Sequence, residues 1–192
     1  MLSAGAPVAK AGVVCHVLGM QPRRAFLLSA LALTLAATVP GAAQADDVTF
    51  NKLFFIQRSK NANEVHYDAR VQKDGGLDPK EPMVGYWINK AEDNSRKPIS
   101  LVQKIAYGYD CDANGDGTWS LKLKAFKERP MTIRKANGRY RVQTTIAGKA
   151  AYMNRLYVAT DESGVMPKVL YVDVFGEEVN GGAAVQEHIV KN

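Results

Sequence analysis

The chain has 192 residues, 46% of them hydrophobic and 23% charged, and a formal net charge of +6. Its two cysteines, Cys15 and Cys111, exclude a disulfide-stapled scaffold, because removal of the N-terminal segment described next leaves Cys111 alone. What remains is long enough to bury a core without staples, and one domain is the expectation.

Residues 23–45 carry the three parts of a secretory signal in order: the pair Arg23-Arg24, an apolar run from Ala25 to Val39, and the small-residue exit Ala43-Gln44-Ala45. Cleavage is expected after Ala45, which divides the chain into a leader and signal peptide, 1–45, and a single β-rich domain, 46–192. Met20 makes the better start, since it gives a signal of ordinary length. The apolar run is too short to cross a hydrocarbon core and ends at Pro40-Gly41, so no transmembrane anchor is expected in the mature protein. Arg23-Arg24-Ala25-Phe26-Leu27 resembles a twin-arginine export signal, while the general secretory route fits equally well. Either route predicts a periplasmic or secreted protein.

Lys10, Arg23 and Arg24 leave with the leader, so 22 basic residues face 19 acidic ones. The charge is segregated: residues 122–155 hold ten basic side chains against Glu128, and residues 161–192 hold six acids against Lys168 and Lys191. For an exported protein this excludes nucleic acid and directs attention to anionic envelope components.

From Leu53 the chain reads as a hairpin: a strand to Arg58, turn chemistry at Asn61-Ala62-Asn63, then Val65, Tyr67, Ala69 and Val71 alternating with polar neighbours. Val84 to Ile88 is the next strand, and 91–97 a polar loop. Ile99, Leu101, Val102, Ile105 and Ala106 cluster on one side of a short helix near 99–106, ended by Gly108. A polar loop at 110–118 precedes strands at 119–126, 131–135, 139–146, 150–160 and 168–175. Asn137-Gly138 and Ala147-Gly148 are compact hairpin turns. After a Gly-rich loop over 176–184, residues 185–190 make a last strand. The run from Lys168 is apolar on both faces and is expected to be covered on both, with the helix over one. The fold class is therefore mostly β, a single antiparallel meander closing as a barrel or sandwich, with one short helix.

The segments Leu53-Phe54-Phe55-Ile56-Gln57-Arg58-Ser59-Lys60-Asn61-Ala62-Asn63, Tyr67-Asp68-Ala69, Gly85-Tyr86-Trp87-Ile88, Ala106-Tyr107-Gly108-Tyr109 and Leu123-Lys124-Ala125-Phe126 resemble an uncharacterised bacterial family, domain of unknown function 4833. The resemblance spans most of the mature chain. It implies a single exported domain and assigns no activity to any residue.

Three constellations carry possible chemistry. Residues 112–119 match the opening of a calcium loop of EF-hand type: Asp112, Asn114 and Asp116 at alternate positions converge oxygens, Gly117 makes the turn and the Thr118 carbonyl adds a ligand. The closing position is Leu123 rather than Glu, so weak calcium binding competes with an ion-free Asn/Asp/Gly turn, which the missing Glu favours. Lys122, Lys124, Arg134, Arg139 and Arg141 alternate with apolar residues on neighbouring strands and would make one basic, anion-binding face, or simply a solvated exterior. Asp173 interrupts an apolar face, and Arg155 on the preceding strand is its expected partner in a buried structural ion pair. His66, Asp68 and Arg70 share a strand face with no nucleophile beside them, which suits a polar ladder.

The function expected from these residues is that of an exported, non-enzymatic binding or envelope-associated module. It would contact a small molecule or an anionic envelope component through a barrel cavity or the basic face. The alternatives are an enzyme with a polar site around Asp173, Arg155 and nearby tyrosines, and a calcium-stabilised structural protein.

Overall fold

The computed structural model describes residues 48–191 apart from 60, 165 and 166, and the leader, its start and its cleavage site lie outside the described residues. In chain order the elements are β1 (Thr49–Arg58), β2 (Glu64–Val71), β3 (Met83–Ile88), β4 (Arg96–Pro98), α1 (Lys104–Tyr107), β5 (Tyr109–Ala113), β6 (Trp119–Leu123), β7 (Met131–Ala136), β8 (Arg139–Ile146), β9 (Lys149–Asp161), β10 (Lys168–Glu178) and β11 (Ala184–Val190). Among the described residues no helix is long and apolar enough to cross a membrane.

The strands form one sheet of order β4-β3-β2-β1-β9-β8-β7-β6-β5, with β10 and β11 continuing from β9. The long strand β9 is its axis. One edge of β9 pairs with β10 along almost its whole length. The other edge is shared: β8 takes Lys149–Met153 in an antiparallel ladder, and β1 takes Arg155–Val158 in a parallel one. The sheet therefore forks at Asn154 into two wings, and the expected meander is antiparallel except for the β1–β9 ladder.

The sheet curls as an open half-barrel and does not close, which corrects the expected barrel. The wings meet through side chains rather than a ladder. The Tyr67 phenol donates to the Tyr107 carbonyl at 2.8 Å, Tyr109 donates to the Met83 carbonyl, and Tyr140 donates to the Gly75 carbonyl at 3.0 Å. Inside the curl the period-two alternation of both wings converges on one core, in which Phe54, Val65, Tyr67, Met83, Leu121, Ile133, Val142 and Val174 are buried. Phe54 stacks on Tyr67 with ring centroids 4.6 Å apart. Each such side chain contributes about 1.5–3 kcal/mol on burial, so the interior is a filled core. At Gly176 a Cβ would lie 2.5 Å from the Tyr152 carbonyl oxygen, and only glycine lets β10 lie this close to β9 at its bulge.

Three further expectations are corrected. The helix over 99–106 shrinks to Lys104–Tyr107, because Ile99 and Tyr107 take the available core surface and leave Leu101, Val102 and Ile105 facing solvent. The run from Lys168 buries Val172 and Val174 only, while Leu170 is 42% exposed. Its outward face is covered by side chains of the neighbouring strands and not by the helix. The loop expected at 110–118 begins later, since residues up to Ala113 pair with β6.

Candidate functional site: a basic cleft at the fork of the sheet

The wedge that opens where β1 and β8 part company is a cleft of about 470 Å³ lined by Lys52, Leu53, Phe55, Arg139, Arg141, Asn154, Arg155 and Phe175. Its origin is topological. The last β8–β9 pair is Val142↔Met153 and the first β1–β9 pair is Phe55↔Arg155, so Asn154 lies between the ladders. The β1 register also slips between Lys52 and Phe54, a bulge of the kind that re-aims side chains beside a site. Asn51 bridges the wedge at its far end, where its Oδ1 accepts the Tyr140 N–H at 3.2 Å.

Four cations line this cleft and no carboxylate does. Three of the four stems are steadied by rings. The Arg155 guanidinium lies 3.8 Å from the Phe175 centroid, Lys52 Nζ lies 4.8 Å from that of Phe55, and the Arg141 guanidinium lies 4.3 Å from that of Tyr152. Arg141 also donates to Glu177 at 2.6 Å. Among the described residues, Arg139 and Arg155 have no carboxylate within salt-bridge reach, and Arg141 stands directly opposite Arg134. Like charges in register destabilise a sheet unless a counter-charge answers them.

The five residues expected to form one basic face divide into two groups. Arg139 and Arg141 line the fork, and Arg134 lies beside Arg141 on β7, 3.0 Å from Gln143. Lys122 on β6 and Lys124 just beyond it lie beside the distant edge strand β5, where Lys122 pairs across the strands with Asp110 and Lys124 Nζ donates to both Asp110 oxygens at 2.6 and 2.7 Å. Composition of the strands gave the first group. It missed Lys52, Asn154 and the ring supports, because these meet only through the parallel pairing of segments about a hundred residues apart.

The expected Asp173–Arg155 ion pair is not formed. Register sets Arg155 beside Phe175 and Asp173 beside Tyr157, and Asp173 hydrogen-bonds His188 Nδ1 at 2.7 Å. Arg155 thus stands opposite a residue two along from Asp173, and that offset decides which side chains touch. His188 also packs on Tyr171, with ring centroids 4.7 Å apart.

In the Asp-rich segment, Asp112 belongs to β5 opposite Ser120, and the tip closes upon itself. Asn114 Nδ2 donates to Thr118 Oγ1 at 2.9 Å, and Ser120 Oγ donates to Asn114 Oδ1 at 2.7 Å. Asp116 Oδ1 accepts the Thr118 N–H at 2.9 Å, and the Thr118 carbonyl accepts the Asn114 N–H at 3.0 Å. Gly115 and Gly117 both take φ +82°, which supplies the sharp bends. Among the described residues no group of three or more His, Cys, Asp or Glu is gathered as for a metal ion. Burial, helped by the Asp112 charge, pushes the nearby Cys111 thiol up to about 12, so it stays protonated at neutral pH.

On β2 each outward side chain has at least one partner, although Asp68 Oδ1 and Arg70 Nε are buried without one. Glu64, 5% exposed, accepts from Lys90 Nζ and contacts His66 Nε2, each at 2.7 Å. Burial alone would raise its carboxyl, but the hydrogen bonds and charges of Lys90 and His66 hold it below the usual glutamate value. Asp68 accepts the Tyr86 phenol at 2.7 Å, and burial together with that bond pushes Tyr86 up to about 12. Arg70 pairs with Asp78 and Glu81. His66 is stacked between Phe55 and Tyr86, at 5.3 and 5.7 Å.

No curated protein and no solved structure matches the chain. The sequence profile of one family does, over residues 54–188, which takes in both wings and most of the cleft: the chain belongs to the family described as domain of unknown function (DUF4833).

Proposed function

We propose that the protein is an exported, non-enzymatic binding module that holds a small anionic molecule in the cleft at the fork. The observation that carries this reading is the uncompensated charge of the cleft: four cations line it without a carboxylate, and two of them lack a counter-charge among the described residues. Guanidinium groups match carboxylate and phosphate oxygens in geometry. Phe55, Phe175 and Leu53 add an apolar lining, so the ligand carries an anionic group joined to an apolar part. The filled interior supports contact on the outer face rather than in a barrel cavity. The non-enzymatic part draws support from His66 and His188, the histidines among the described residues, whose side-chain hydrogen bonds go to carboxylates.

Two measurements test the reading. Native mass spectrometry of the protein purified from its own envelope should retain a small anionic mass that Arg139→Ala/Arg155→Ala loses. Thermal unfolding with 10 mM pyrophosphate, against chloride at equal ionic strength, should raise the wild-type midpoint and leave that of the double variant unmoved. Equal responses of the two proteins would put the anion elsewhere.

A further inference from the structure

Between β4 and β5 the chain makes a turn that shows apolar side chains to solvent. Leu101 is 82% exposed, and Val102 and Ile105 are each 78% exposed. Single exposed aliphatics are ordinary, but three on one short turn form a patch of the kind that marks an interaction site. The turn is a built element. Ile99 and Tyr107 anchor its two ends on the core, Tyr107 packs edge-on against Trp87 at 5.1 Å, and the Tyr107 carbonyl accepts the Tyr67 phenol. Between the anchors Ser100 and Gln103 cap each other: the Ser100 N–H donates to Gln103 Oε1 at 2.9 Å, and the Gln103 N–H donates to Ser100 Oγ at 3.3 Å. Backbone bonds from Lys104 to Ser100 and from Tyr107 to Gln103 complete it. Leu101, Val102 and Ile105 are thus held outward by a scaffold already fixed, which lowers the ordering cost of inserting them elsewhere.

Along the segment itself the charge has one sign, and acids come only from neighbouring segments, Glu92 near Lys97 and Glu162 near Tyr107. From Asn94 to Tyr109 there are three cations, Arg96, Lys97 and Lys104, and no acid. Arg96 is laid over the Tyr86 ring at 3.5 Å, Lys97 reaches Glu92 only at 4.0 Å, and Lys104 has no carboxylate within reach among the described residues. Aliphatic prongs flanked by cations of the same segment suit the interface of an anionic bilayer, where the prongs enter the acyl boundary and the cations meet headgroup phosphates. A second copy of the chain fits less well. Self-association would bring like cations together, and one turn offers far less than the roughly 1,200 Å² of a stable protein contact.

We infer that the 99–107 turn is a membrane-interface anchor, which seats the protein on an anionic lipid surface through Leu101, Val102 and Ile105 with Lys97 and Lys104 at the headgroups. The inference is independent of the cleft and its ligand. The test uses the full chain, sedimented with vesicles of phosphatidylcholine alone or with about 30% phosphatidylglycerol, and amide hydrogen exchange over 99–107 as the local readout. The wild type should bind the anionic vesicles and show slowed exchange in the turn. Leu101→Ser/Val102→Ser/Ile105→Ser should bind at least about tenfold more weakly, and Lys97→Glu/Lys104→Glu should lose the preference for anionic over neutral vesicles. These side chains face solvent, so both variants should unfold at the wild-type midpoint. Equal sedimentation of wild type and triple Ser variant, unchanged exchange in the turn, or a dimer that the triple Ser variant dissolves would each overturn the anchor, the last by making the patch a contact between copies.

Discussion

Two neighbouring stretches of the same outward sheet face treat charge in opposite ways. Along β2, Glu64, His66, Asp68 and Arg70 each have a named partner. A few strands away, at the fork, Arg139 and Arg155 have no carboxylate within reach among the described residues. Both sets are polar side chains at alternate positions, and in sequence they look alike. The difference is one of answering groups: a charge neutralised inside the fold acts on stability, whereas a cluster of one sign left open in a concave wedge acts on what approaches from outside. The contrast predicts which substitutions unfold the protein and which leave it folded but unable to bind.

The largest effect is expected at Glu64. Glu64→Ala leaves His66 and Lys90 without their acceptor at a site 5% exposed, and the loss should be about 2 kcal/mol, read from urea unfolding. A loss below about 0.5 kcal/mol would mean that the β2 ladder is ornament on the surface and would dissolve the contrast.

The next effect is the pH dependence of the same residue. The folded carboxyl titrates below its unfolded value of about 4.3, so its contribution is fully present above that value and is lost as the pH falls through the lower folded value. Wild type should therefore lose stability between pH 5 and pH 3 more steeply than Glu64→Gln, measured by thermal midpoints. Parallel curves would count against the pairing.

At the fork the expected change in stability is smaller. Arg139→Ala/Arg155→Ala should stay within about 0.5 kcal/mol of wild type, and it should unfold at a midpoint equal to or above it, because relieving like charge offsets the packing lost from Phe175. A loss as large as that of Glu64→Ala would reclassify these arginines as structural.

How far the sequence reaches follows the same division. Alternation or a short apolar run sufficed for β1, β2, β3 and β6 to β11, and Asn137-Gly138 and Ala147-Gly148 marked two of their turns, because strand patterning and left-handed turn residues are local signals. The cleft was half legible: Arg139 and Arg141 share a face of β8, but Lys52, Asn154 and Arg155 joined them only when β1 paired in parallel with β9. No local pattern encodes a parallel ladder between segments so far apart. Ile99 to Ala106 misled for the opposite reason, since its spacing fits an amphipathic helix while the core had room only for Ile99 and Tyr107. Asp173 had the right chemistry and the wrong register, and His188 took the place expected of Arg155.

The smallest expected effect is that of calcium on the Asn114–Thr118 tip, a segment that belongs with β2. Its oxygens are spoken for: Asp116 Oδ1 accepts two bonds from Thr118, Asn114 Oδ1 accepts from Ser120, and the Thr118 carbonyl accepts from Asn114. A calcium ion would have to displace these bonds and find further oxygens, since Leu123 fills the closing position and calcium takes six to eight oxygen ligands. Adding 5 mM calcium should leave the thermal midpoint within about 1 °C, because a ligand raises it only to the extent that it binds the native state. Asp116→Ala should cost about 1 kcal/mol through the lost turn bonds with or without the ion. A calcium-dependent rise abolished by Asp116→Ala would show that internally answered oxygens can still be a ligand site, and the criterion that separates β2 from the fork would then fail at its weakest point.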